Sequence, residues 1–157
     1  TSLEKLEKTK DWGADHIVLT HKDEDVSFRE EVKDLTDGKG ADVIYDPVGG
    51  DVFDESIRCI NWGGRLLIVG FASGRIPTAP VNMPLIKGFS IIGVRAGEYG
   101  RRDPIKGEEN NQAIRDIAET GAFQPYVCRE FPLLESKEAI RFLQQRKLLG
   151  KVAIVMD

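Results

Sequence analysis

The sequence predicts an α/β fold built on a doubly wound parallel sheet, and three observations carry the prediction. Several short segments are almost wholly apolar rather than alternating, as in Arg65-Leu-Leu-Ile-Val-Gly70 and Lys151-Val-Ala-Ile-Val-Met156. That is the pattern of strands buried on both faces. Amphipathic helical segments alternate with these strands along the chain. Glycine and proline cluster at the joins, where turns are needed.

The elements follow in order. Leu3 to Trp12 sets Leu3, Leu6 and Trp12 among charges, which predicts an amphipathic helix capped by Ser2 and stopped by Gly13. His16 to Leu19 reads as a short buried strand. Ser27-Phe-Arg-Glu30 has the form of a capping box and opens a second helix, with Val32 and Leu35 inward and Gly38-Lys-Gly40 at its end. Asp42 to Asp46 is a strand closed by Pro47. Gly49-Gly50 makes a turn, and Asp51 is the expected N-cap of a third helix with Phe53, Ile57 and Ile60 on its apolar stripe. Gly63-Gly64 is expected to stop that helix before a strand from Arg65 to Gly70. A Gly/Pro-rich loop runs from Phe71 to Pro80, followed by a helical turn at Met83 to Ile86 and a strand at Ser90 to Val94. Residues 95–108 read as a polar loop. Asn110 to Glu119 is a helix with Ile114, Ile117 and Ala118 inward, stopped by Gly121. Val127 to Leu133 is strand-like, Ser136 to Gln145 is a helix with Ala139, Ile140 and Leu143 inward, and residues 151–156 form a last strand. The rhythm lengthens after Gly121, which places a domain boundary there, with residues 1–122 on one side and 123–157 on the other.

Composition narrows the function. The chain has 157 residues with 26 acidic and 22 basic side chains, a net charge of -4, and no basic stripe, which argues against a nucleic-acid partner. No apolar run approaches the roughly 18 residues needed to cross a bilayer. Cys59 and Cys128 are the only cysteines, too few for a disulfide scaffold, so a reducing cytoplasm is expected. His16 and His21 lie five apart, a spacing that suits no common metal site.

A dinucleotide-binding domain should open with a strand, a G-x-G-x-x-G turn and a helix. The nearest string, Gly38-Lys-Gly40, follows a helix and precedes a strand, so it is a turn. Two strands instead end in glycine-bearing loops, Asp46-Pro-Val-Gly-Gly50 and Gly70-Phe-Ala-Ser-Gly74. The C-terminal ends of parallel strands are where ligands sit, and glycine permits close approach to the backbone. Ordinary turns are the alternative reading.

Four strings in order carry a family resemblance: Gly13-Ala14-Asp15, the run from Gly40 to Gly50, the run from Trp62 to Phe71, and Gly150-Lys151-Val152. With them the chain resembles the quinone oxidoreductase branch of the medium-chain dehydrogenase/reductase superfamily, in its C-terminal portion. The resemblance implies a partial Rossmann-type sheet lacking its first strand, glycine-rich loop and second strand. A C-terminal piece of a GroES-like catalytic domain follows it. It implies NADP(H) rather than NAD(H), no zinc, and reduction of quinones or activated alkenes by hydride transfer. Ser2 and Lys5 match positions that hold the 2′-phosphate of NADP, chemistry that a hydroxyl and a cation at a helix N-terminus suit. An N-cap and a solvated lysine are the plain alternative. Many relatives have a tyrosine near position 20, where this chain has Thr20. Val48 and Gly49 match backbone contacts to the nicotinamide-side ribose. Gly70, Phe71 and Ala72 match the segment passing the nicotinamide, with Phe71 also readable as a core aromatic.

No catalytic side chain is assignable. Glu98, Tyr99 and Arg101 read as a solvated polar loop, with a loop facing a substrate or a partner subunit as the alternative. A zinc-dependent alcohol dehydrogenase relative and a non-catalytic cofactor-binding protein remain open alternatives. The resemblance also implies a homodimer through the strand at Ser90 to Val94. In a sheet of order 3-2-1-4-5-6 the strand at His16 would be third and that at Asp42 fourth, separated by three strand spacings, roughly 14 Å. The strand at His16 must then slide beside that at Asp42, or another polypeptide must fill the space.

Overall fold

The computed structural model describes residues 3–19, 28–122, 124–145 and 148–156, so Ser2, Thr20, His21 and Ser27 lie outside the described residues. The chain forms two compact units, Thr1–Gly97 and Glu98–Asp157.

In the first unit, helix α1 spans Leu3–Asp11 and ends where Gly13 turns at φ 96°. Helix α2 spans Phe28–Asp34. The sheet is formed by β1 (Ala41–Asp46), β2 (Ile60–Ile68) and β3 (Ser90–Gly93), in that order and all parallel. Helix α3 (Gly50–Cys59) connects β1 to β2, and α4 (Asn82–Lys87) precedes β3. The core lies between α3 and one face of the sheet: Phe53 and Ile57 from the helix meet Ile60, Leu66 and Phe89, with Ile44, Ile68 and Ile91 beside them.

Three expectations for this unit are corrected. Residues His16 to Leu19 form no strand, although Ile17 and Val18 are half-buried. An isolated extended segment gains no ladder bonds, and β1 pairs only with β2, so the segment has not slid alongside it. Second, the N-cap of α3 is Gly49 rather than Asp51, at φ 66° and ψ -155° and without a side-chain cap. Third, Gly63-Gly64 does not end the helix. The chain passes straight from Cys59 into β2, and the glycines lie within that strand. The register jumps from Ala41↔Ile60 to Val43↔Arg65, and a Cβ on Gly64 would stand 2.6 Å from Ile60 Cγ1, so the glycine accommodates an irregular strand.

Within the first unit, the α3 core covers one face of the sheet. Val43, Tyr45 and Ile92, which share the other face by register, are 45%, 65% and 39% exposed.

In the second unit, the segment read as a loop is helical. Helix α5 spans Ala96–Arg102, beginning at the end of the first unit, and α6 spans Pro104–Glu119. The missed signal is Asp103-Pro104. The Asp103 carboxylate accepts the Lys106 N–H at 3.0 Å, and proline occupies the first turn, where its missing N–H has no cost. Glu98 holds Arg101 and Arg102 at 3.3 and 3.4 Å, an i,i+3 and i,i+4 pattern that polar residues supply only in a helix. Strand β4 (Val127–Pro132), a 3-10 turn at Leu133–Glu135, helix α7 (Ser136–Gln144) and strand β5 (Lys151–Val155) follow, with β4 and β5 parallel. Phe131 and Ala139 are buried in this βαβ element, and the Phe131 and Phe142 rings lie 6.1 Å apart.

Candidate functional site

The site begins with Asp46, the last residue of β1 and only 1% exposed. Its Oδ1 accepts the Val48 N–H at 2.8 Å and the Gly49 N–H at 2.9 Å. A short side chain followed by Pro47 folds back on its own loop in this way, because proline donates no hydrogen bond and fixes the bend. The other carboxylate oxygen, Oδ2, is buried and meets no partner among the described residues.

This clamp presents the carbonyls of Pro47 and Val48 to the loop after β2. Ala72 N–H donates to Pro47 O at 3.1 Å and Ser73 N–H to Val48 O at 3.0 Å. Gly70 N–H reaches Asp46 O at 3.4 Å, and Gly74 N–H closes a turn on Phe71 O at 2.9 Å. The structure therefore brings Val48, Gly49, Gly70, Phe71 and Ala72 together at the C-terminal ends of β1 and β2. Lys5 lies half-buried on α1.

The glycines have a reason of their own. A Cβ on Gly49 would stand 2.8 Å from Phe71 Cδ1, one on Gly50 would stand 2.7 Å from Ser73 Oγ, and one on Gly70 would stand 3.2 Å from Pro47 O. Their small size lets the two loops interlock. Phe71 is no core residue: it is 41% exposed, with its ring edge against Gly49. Among the described residues, the Phe71 N–H and the Gly70 and Ala72 carbonyls meet no protein partner, leaving one donor flanked by two acceptors on the exposed rim. That set can hold a primary amide, which offers the complementary acceptor and donors.

Two side chains that sequence reasoning passed over secure the rim. Arg75 donates to Asp51 Oδ1 at 2.9 Å and also to Asp54, tying the end of the second loop to the first turns of α3. The Ser73 hydroxyl accepts the Arg75 N–H at 3.2 Å. Nothing local in the sequence marks Arg75, because its partners lie 24 and 21 residues away. Asp46 had a signal, an Asx-Pro step at a strand end.

Residues 1–118 match the zinc-binding dehydrogenase family. The chain belongs to that family. Within it, the chain falls in the quinone oxidoreductase branch of the medium-chain dehydrogenase/reductase superfamily, as its C-terminal portion. It is 40% identical over 129 residues to a quinone oxidoreductase-like protein 2 homolog of Nematostella vectensis, covering 82% of this chain and 35% of that protein. It is 28% identical over 153 residues to a 2-haloacrylate reductase of Burkholderia, covering 97% of this chain and 45% of that one. A mycobacterial protein solved in complex with NADPH superposes with a TM-score of 0.80 at 27% identity, covering 99% of this chain and 48% of the other. The chain thus spans less than half the length of these relatives.

The family's name implies zinc, so the donor set matters. Among the described residues no three His, Cys, Asp or Glu side chains converge to hold a metal ion. No helix among the described residues is long and apolar enough to cross a membrane.

Proposed function

We propose that this chain supplies the nicotinamide side of the cofactor site in an NADPH-dependent reductase acting on quinones or activated alkenes. The observation that carries the reading is the interlocked loop pair at the strand ends, with the Phe71 N–H and the Gly70 and Ala72 carbonyls unpartnered on its rim. Bound there, the cofactor supplies the hydride. The chain's own part is to orient it: the rim backbone holds the ring's amide, and Val48 and Gly49 meet the adjoining ribose. Lys5 and Ser2 hold the 2′-phosphate. The NADPH complex of the mycobacterial protein and the reductase name of the Burkholderia relative support this reading. In the same reading, residues 1–122 belong to the cofactor domain and 123–157 to the catalytic domain, the protein works in the cytoplasm, and it needs no zinc.

The test is cofactor discrimination in the protein that joins this chain to a glycine-rich phosphate loop. Lys5→Ala should weaken NADPH binding by about 1–3 kcal/mol, the scale of a charge-assisted hydrogen bond, and leave NADH binding unchanged. NADPH oxidation should require a quinone or enone acceptor. Equal losses for both cofactors would remove the phosphate assignment, and turnover confined to alcohols would remove the substrate class.

A further inference from the structure

We infer that a basic groove at the N-terminal ends of the strands binds a phosphate-bearing anion, at a site separate from the cofactor loops. Two adjoining concavities of about 470 and 350 Å³ share Lys33, Arg58 and Lys87 as walls. Arg29 completes the first and Lys39 the second, so all five charged side chains lining the groove are basic. This occurs in a chain whose net charge is -4, so the groove is not a sample of the average surface.

The local charges are only partly compensated. Arg29 lies 3.1 Å from Glu30 and 3.9 Å from Glu55, and Lys33 lies 3.4 Å from Glu30. Lys87 donates to the Ile57 and Arg58 carbonyls at 3.1 and 2.8 Å, where a cation meets the negative end of α3. Two of its three donors are thereby used and one remains. Burial lowers the Lys87 pKa from its ordinary value, and the Lys33 charge adds to the lowering. Among the described residues, neither Lys39 nor Arg58 meets a carboxylate. An anion with several oxygens would satisfy these donors together and relieve the repulsion among the cations.

The second observation is Trp62, which lines the same groove and is 76% exposed. Its indole lies against Gly88, where a Cβ would stand 2.9 Å from Cε3 and Cζ3, so glycine holds the ring flat to the backbone. An exposed aromatic plate in a groove with Lys39 and Arg58 suits a nucleotide, whose base stacks while its phosphates pair, but bare polyphosphate satisfies the cations equally. The groove cannot be the cofactor site under another description. It lies by Gly40, Cys59 and Lys87 at one end of the strands, whereas the loops at Asp46 and Gly70 lie at the other, six strand residues or roughly 20 Å away.

The test titrates tripolyphosphate, and separately ATP, into the 157-residue protein at matched ionic strength, reading tryptophan fluorescence. Saturable binding is expected below about 1 mM, weakened about tenfold or more in Lys39→Ser/Arg58→Ser, as the loss of two charge-assisted contacts requires. The charge-keeping variant Lys39→Arg/Arg58→Lys should still bind, which separates lost contacts from lost fold. Tighter binding of ATP, with the advantage abolished by Trp62→Leu, identifies a nucleotide, and equal affinities identify the phosphate group alone. No saturation beyond the salt control, or unchanged affinity in the serine double variant, overturns the inference.

Discussion

Removing the Asp46 side chain gives the sharpest reading of how the cofactor loops are built. Asp46→Ala deletes an oxygen that receives two backbone N–H groups at 2.8 and 2.9 Å. A hydrogen bond to a charged group contributes about 1.5–3 kcal/mol net, and the Gly49 N–H would be left buried at a further cost of about 1 kcal/mol or more. Against this, the buried Oδ2 has no partner among the described residues, and its removal returns part of its desolvation cost. The balance is a loss of about 2–4 kcal/mol. Asp46→Asn keeps the accepting oxygen but not its charge, so it should lose about half as much. Urea unfolding followed by circular dichroism, at unchanged m, measures both. Losses below about 0.5 kcal/mol for both variants, or a greater loss for asparagine than for alanine, would show that the carboxylate does not hold the loop.

Other outcomes follow from packing and titration. Gly40→Ala, at φ 90° and with its Cβ overlapping the Cys59 carbonyl, should destabilise by about 3 kcal/mol or more, while Gly74→Ala, at φ 84° in open space, should cost only about 1 kcal/mol of strain; similar midpoints in urea would contradict this. Burial raises the Cys59 thiol above its ordinary 9.0. A raised folded pKa gives stability that is complete below 9.0 and is lost as pH climbs through the folded value, so thermal stability should fall at alkaline pH and recover in Cys59→Ala; a flat profile there would refute it. The same burial should leave Cys59 unmodified by a thiol reagent until denaturant is added, and native-state labelling at Cys59 would be the contrary result. Among the described residues the outer edge of β3 has no neighbouring strand, so it should pair with its two-fold copy in a dimer, and a monomer by light scattering at micromolar concentration would count against that assembly.

The parts of the fold legible in the sequence were those with a local cause. Phe53 and Ile57 recur at helical spacing and form the observed core face of α3, and the run from Arg65 to Ile68 is a strand because its apolar residues are continuous. The errors have two sources. The segment at His16 satisfies strand propensity, but a strand requires a neighbour, which propensity does not encode. At Asp103-Pro104 the helix signal was present, yet the surrounding polar residues hid it, since α6 buries none of its side chains. For the site, the residues of both loops were visible as glycine strings, but the reason for the glycines was not. Their clashes are with a loop some twenty residues away, and only the folded backbone shows that contact.

That interlock also governs how the site moves. The Ala72 and Ser73 amides are donated across to Pro47 and Val48, so neither loop can open without releasing the other. Their amide protons should exchange with solvent as one cooperative group, and ordering either loop meets most of the entropic cost of ordering both. Substitutions at Val48 and Ala72 should consequently be non-additive in a double-mutant cycle, though they lie on separate segments of chain. A ligand that touches only the rim at Phe71 would thereby stiffen the Asp46 turn, and it would do so without contacting it.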